Sequence, residues 1–211
     1  MYIIMTKKIL SCALAAMMLC STGVFAENTN TEQKVTAELA EQANNQDVIE
    51  AYKIGVIDSV DQNWDQEINR EEFCDEVYSM LNGVKEFAQV HAAYVPFQDV
   101  ASYTIHGLYF AGIVSGKGNE TFAPKDLLTW EEMAVILKNG AEYAEIALPA
   151  VKVDAGAAKK EGISEWAIPA VYSVKVLGLL DAAGDHFQAQ EHVTKGQAIS
   201  AIMSLYRLTQ K

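Results

Sequence analysis

An all-α fold built from three helix-loop-helix units is what this sequence predicts, and two recurrences predict it. One is a glycine-centred tetrapeptide: Ile54-Gly55-Val56-Ile57, Ala111-Gly112-Ile113-Val114 and Leu177-Gly178-Leu179-Leu180. The other is a capping signature followed by an apolar run: Asn69-Arg70-Glu71-Glu72-Phe73, Thr129-Trp130-Glu131-Glu132-Met133 and Thr194-Lys195-Gly196-Gln197-Ala198. The glycine-to-cap intervals differ by only a few residues, as divergent copies of one unit with small loop insertions should.

Each glycine closes an amphipathic face. Val48, Ala51 and Gly55, then Ile105, Leu108 and Gly112, then Val171, Val174 and Gly178 stand at i, i+3 and i+7, so each predicts a helix stopped at or near its glycine. Each [Ser/Thr/Asn]-x-x-[Glu/Gln] signature predicts a reciprocal capping box that opens a second helix. Those second helices carry stripes of Phe73, Val77 and Met80, of Met133 and Leu137, and of Ala198, Ile202 and Leu205, expected to pack on the helix before them. Two modest helices cannot bury a face alone, so the three units must share one bundle. The middle loop, Gly116 to Pro124, is rich in turn residues and offers Phe122 as an apolar plug; Phe187 holds the matching place in the third copy.

The N-terminus predicts export. Lys7 and Lys8 precede an apolar run from Ile9 to Leu19, and Val24-Phe25-Ala26 suits cleavage, so residues 1–26 read as a signal peptide. Met18 and Leu19 before Cys20 do not resemble a lipid-attachment site. Cleavage takes Lys7 and Lys8 away and deepens the formal charge of −12 by two. That acidity disfavours general affinity for nucleic acid or an anionic membrane surface. No second apolar stretch is long enough to span a bilayer. Cys74 would then be the one cysteine left, so the fold rests on its core without an internal disulfide. Residues 27–45 read as a solvated polar segment. The copies follow as residues 46–92, 93–150 and 151–211.

At these residues the chain resembles the S-layer homology (SLH) family. That family's repeat runs Phe-x-Asp-Val, a helix with Trp near its start, Gly-Ile-Val-x-Gly, Thr-Phe-x-Pro, then Thr-Arg-Ala-Glu. The middle copy has Phe97-Gln98-Asp99-Val100, Gly112-Ile113-Val114-Ser115-Gly116, Thr121-Phe122-Ala123-Pro124 and Thr129-Trp130-Glu131-Glu132. The third has Val153-Asp154, Trp166-Ala167 and Thr194-Lys195-Gly196-Gln197; the first has Asn69-Arg70-Glu71-Glu72-Phe73. The resemblance implies a pseudo-threefold bundle whose grooves hold a secondary cell-wall polysaccharide, and hence non-covalent attachment to a bacterial cell envelope. It implies Arg70 and Trp166 as glycan contacts: the arginine would pair with a sugar's ketal carboxylate as a charged fork, and the tryptophan would stack on a ring face. Lys195 stands at the arginine position as a point charge. Trp130 replaces that arginine in the middle copy, and Gly196 replaces the motif's alanine in the third. The residues alone leave alternatives open. Arg70 also reads as a solvated first-turn arginine and Trp166 as half-buried packing, while Trp130 reads as an exposed contact for glycan or for an envelope protein.

Asp61, Asn63, Asp65, Glu67 and Glu72 carry oxygens at the spacing of an EF-hand calcium loop, the one cofactor the sequence offers, although Gln66 stands where that loop needs glycine. No catalytic constellation emerges. Cys74 reads as a packed core thiol. His91, His106, His186 and His192 lack metal spacing, and Glu71-Glu72 and Glu131-Glu132 read as first-turn acids favoured by the helix dipole.

Overall fold

The capping signatures open the three longest helices of the structure, a computed structural model that describes residues 46–87, 96–153 and 155–211. In chain order these hold α1 (Gln46–Lys53), α2 (Arg70–Val84), α3 (Tyr103–Phe110), α4 (Trp130–Tyr143), α5 (Ala155–Lys160), α6 (Ile168–Val176), a 3-10 segment (Asp181–His186) and α7 (Lys195–Thr209). The class is all-α: pairing between extended residues is confined to isolated bridges among the described residues. None of the described helices is long and apolar enough to cross a membrane. The signal segment 1–26, the polar segment 27–45, His91 and Asp154 lie outside the described residues.

Glycine ends the first helix of each pair as expected. Gly55, Gly112 and Gly178 take φ of +76°, +75° and +74°. At Gly112 the left-handed turn lets Ile113 N–H reach back to Leu108 O at 2.8 Å, closing the helix end. A side chain there would meet open space, so only the backbone conformation demands glycine.

All three capping boxes are closed in both directions. The Asn69, Thr129 and Thr194 side chains accept from the N–H of Glu72, Glu132 and Gln197, whose side chains accept from the cap amides in return. A helix leaves its first N–H groups without partners inside the helix, and the box satisfies only some of them. The first and second helical amides find theirs in a neighbouring loop. Arg70 N donates to Asp126 O (3.0 Å), Trp130 N to Glu191 O (3.1 Å) and Lys195 N to Gln66 O (2.8 Å). Glu71 N donates to Pro124 O, Glu131 N to Ala189 O and Gly196 N to Trp64 O, at 3.0, 3.1 and 2.9 Å. Inside them runs a closed cycle: Ile68 N to Val193 O (2.9 Å), Val193 N to Leu128 O (2.9 Å) and Leu128 N to Ile68 O (3.0 Å). The side chains of Ile68, Leu128 and Val193 are wholly buried beneath it.

This cycle corrects one expectation. The second helices pack chiefly on a helix of the following pair: α2 on α3, α4 on α6, and α7 back on α1. The cause is the hydrogen-bonding order. The start of α2 is pinned to the loop after α3, that of α4 to the loop after α6, and that of α7 to the loop after α1, so each stripe meets the helix its loop follows. The last contact joins the two ends of the described chain, and Arg207 on α7 clasps Asp47 and Glu50 on α1.

Truncating a side chain under the cycle should be costly. Leu128→Ala is expected to lower unfolding stability by about 2–5 kcal/mol in urea denaturation, through lost burial and a cavity. Tyr103→Ala, at an 81 % exposed position, is expected to stay within about 0.5 kcal/mol of the parent.

Candidate functional site

Arg70 opens α2, yet it is only 5 % exposed. Its Nε donates to Phe122 O at 3.1 Å and its Nη2 to Ser115 O at 3.3 Å. The guanidinium lies 4.7 Å from the centre of the Phe122 ring, and Nη1 is 3.6 Å from Glu132 Oε1. A guanidinium has five N–H donors, so two carbonyls leave several free. The solvated first-turn arginine is therefore corrected: pinning α2 against the loop before α4 draws the side chain into a junction.

That junction is a cleft of about 450 Å³, lined among others by Arg70, Ser115, Gly116, Lys117, Glu132 and Trp166. Lys117 Nζ sits 3.2 Å from Glu132 Oε1 and 2.8 Å from Asp126 Oδ2. Two cations, Arg70 and Lys117, thus share Glu132 in the cleft, while Asp126 pairs with Lys117 from beside it. At Gly116 a Cβ would come within 2.6 Å of Thr121 O and 2.7 Å of the Phe97 ring, so the chain can pass there only as glycine. Asp99 secures the same loop by accepting from Phe122 N (2.9 Å) and Ala123 N (2.8 Å). Those backbone bonds, the one from Phe122 foremost, hold its carboxyl below the usual range.

Trp166 comes to the cleft from the turn before α6 and is 59 % exposed, which corrects the packing alternative. Trp130 is corrected the other way. It is 3 % exposed and packs edge-on to Phe187 at 6.1 Å. It serves Phe187 as Arg70 serves Phe122, filling the junction with an indole where the other holds a cation. Lys195 does not join the cleft; its Nζ pairs with Glu72 Oε1 at 3.3 Å in a separate junction. Arg70 and Trp166 are thus brought together, and Lys195 and Trp130 are not. Lys117 was missed because a lone loop lysine carries no pattern, although it directly follows the Gly-Ile-Val-x-Gly segment.

The acidic loop ahead of α2 spreads its oxygens. Glu67 faces His192 Nδ1 at 3.2 Å, Glu72 is held by its cap and by Lys195, and Asn63 Oδ1 accepts from Asp65 N. The described residues contain no group of three or more His, Cys, Asp or Glu side chains placed to hold a metal ion. Gln66 keeps an ordinary negative φ rather than the left-handed turn expected at that loop position. Cys74 is fully buried, and burial pushes its thiol up to about 12. It is a packed core side chain with no thiolate to offer near neutrality.

Residues 99–134 match the S-layer homology domain family. That matched stretch supplies most of the lining of the cleft, Glu132 and the segment from Ile113 to Lys117 included. An endoglucanase from Bacillus sp. (strain KSM-635) is 33 % identical over 114 residues, which make up 52 % of this chain and 12 % of the endoglucanase.

Glu76, one turn beyond Glu72 on α2, has its Oε2 shielded and without a hydrogen-bond partner. Burial, with Glu72 adding and Lys195 opposing, pushes its carboxyl up from 4.5 to about 8. Between those values the native chain holds a proton that the unfolded chain releases, so stability falls as pH rises. Below about 4.5 the stabilisation is intact, and it is lost as pH passes through the folded value. Glu76→Gln is expected to raise the melting temperature at pH 8.5 and leave it nearly unchanged at pH 4, as measured by calorimetry.

Proposed function

We propose that this chain is an exported envelope-attachment module made of three S-layer homology units, residues 46–92, 93–150 and 151–211, arranged about a pseudo-threefold axis. Its ligand is an acidic sugar of a secondary cell-wall polysaccharide, bound in the Arg70 cleft. The observation that carries this reading is the convergence of Arg70, Lys117 and Trp166 from three separate parts of the chain. Together they offer a guanidinium with spare donors, an ammonium and an exposed indole. A guanidinium fork matches a carboxylate, the ammonium adds unspecific attraction, and the indole suits a sugar's apolar ring face. The cyclic order of backbone bonds and the shared φ of Gly55, Gly112 and Gly178 support the threefold arrangement.

A second reading, a structural or protein-binding module with decayed glycan sites, draws support from the other junctions. Trp130 fills one with an indole, and Glu72 neutralises Lys195 in the other. The partner would then be an envelope protein.

Retention on purified cell-wall sacculi separates the two. The parent chain is expected to sediment with intact sacculi and to remain in solution once the secondary polymer has been stripped. Lys117→Ala and Trp166→Ala are expected to weaken retention about tenfold or more with little change in melting temperature, since a charged hydrogen bond is worth about 1.5–3 kcal/mol. Arg70→Ala should lose stability as well as binding, because its guanidinium ties Phe122 and Ser115. Undiminished retention on stripped sacculi would contradict the glycan reading.

A further inference from the structure

Glu131 is 3 % exposed and charged, and neither attachment chemistry nor helix capping accounts for its burial. It follows Trp130 and precedes Glu132, on the first turn of α4. Its Oε2 accepts from Ser164 N at 2.8 Å and its Oε1 from Ser164 Oγ at 2.9 Å. Gln190 Nε2 donates to Ser164 Oγ at 3.2 Å and to Gly162 O at 3.3 Å. Ser164 therefore gives both its N–H and its O–H to one carboxylate while its oxygen receives the Gln190 amide.

This bonded turn is the one that carries Trp166. Gly162 reverses the chain after α5 with φ +66°. Ile163 and Ala167 anchor in the core on either side, and Ala167 N closes onto Ser164 O at 2.9 Å. Between those anchors Trp166 projects over the cleft. Adjacent residues of α4 thus face different ways: Glu132 lines the cleft beside Lys117, and Glu131 grips the turn that brings the indole to it. A buried carboxylate costs free energy unless its oxygens are bonded, and here the partner is a single residue two positions from Trp166.

We propose that Glu131 is a positioning residue that fixes Trp166 at the mouth of the Arg70 cleft through Ser164, so that it governs ligand affinity without touching the ligand. This rests on the cleft being the glycan site, and its test is built so that the two can fail separately.

Two measurements on the full chain test it. The first is amide hydrogen exchange without ligand. In Glu131→Gln, the amides of residues 164–167 are expected to exchange faster while those of α2 and α7 stay as in the parent; unchanged exchange there overturns the proposal whatever the ligand is. The second is a double-mutant cycle, titrating polysaccharide released from purified sacculi. Glu131→Gln alone is expected to weaken binding about tenfold, the lower end of what losing an orienting partner costs at metal sites. In a Trp166→Ala background it is expected to cost nothing further, because its effect passes through the indole. Equal losses in both backgrounds would overturn the proposal. Ser164→Ala removes only the hydroxyl and gives the same cycle if Glu131→Gln folds poorly. Absence of binding by the parent chain would defeat the glycan reading while leaving the exchange result to decide the positioning role.

Discussion

Helix N-termini leave amide donors that must find partners, and in this fold the partners are supplied by another part of the chain. In α2, α4 and α7 the capping box serves the cap and third-position amides, and the first and second amides donate into a neighbouring loop. Leaving a buried donor unpaired costs about 1–3 kcal/mol. Six such donors, with the inner cycle of Ile68, Leu128 and Val193, therefore tie the three helix starts to one another. Helix packing follows the same order, so no helix pair could complete its own interior alone.

The cleft is a consequence of that interlock. Pinning α2 to the loop before α4 brings Arg70 under Phe122 and beside Ser115, and the start of α4 presents Glu132 to it and Glu131 to the Trp166 turn. The other two junctions differ from it in chemistry while sharing its pattern of backbone bonds. Where the first helical residue is a cation, it faces a glutamate: Arg70 with Glu132, and Lys195 with Glu72. Where it is Trp130, the residue packs on Phe187, and the third position of α7 is the uncharged Gln197. A shared backbone frame thus carries one polar cleft, one neutralised pair and one apolar plug.

What the sequence made legible was local. The three helix-ending glycines and the three capping boxes each depend on a handful of neighbouring residues, and all formed where expected. The all-α class followed from them. Non-local facts were not legible. Nothing in the stripes of α2, α4 and α7 says that each covers a helix of the next pair, since an apolar face does not name its partner. Trp130 looked exposed because first helical positions usually are, and only the neighbouring loop buries it. Trp166 looks like packing on general aromatic habit, and nothing local says that the turn anchored by Ile163 and Ala167 leaves it exposed. The acidic loop matches a calcium spacing, and spacing alone does not say that Glu67 faces His192 or that Glu72 faces Lys195. The S-layer homology resemblance named Arg70 and Trp166 together, and the structure brings those two into one cleft.

Native-state hydrogen exchange at three backbone amides tests the interlock most directly. If the cycle is the element on which the fold depends, the amides of Ile68, Leu128 and Val193 will exchange only through global unfolding, with closely matched protection free energies. Release of any one of them by a local opening well below the global value, with the other two still protected, would contradict it.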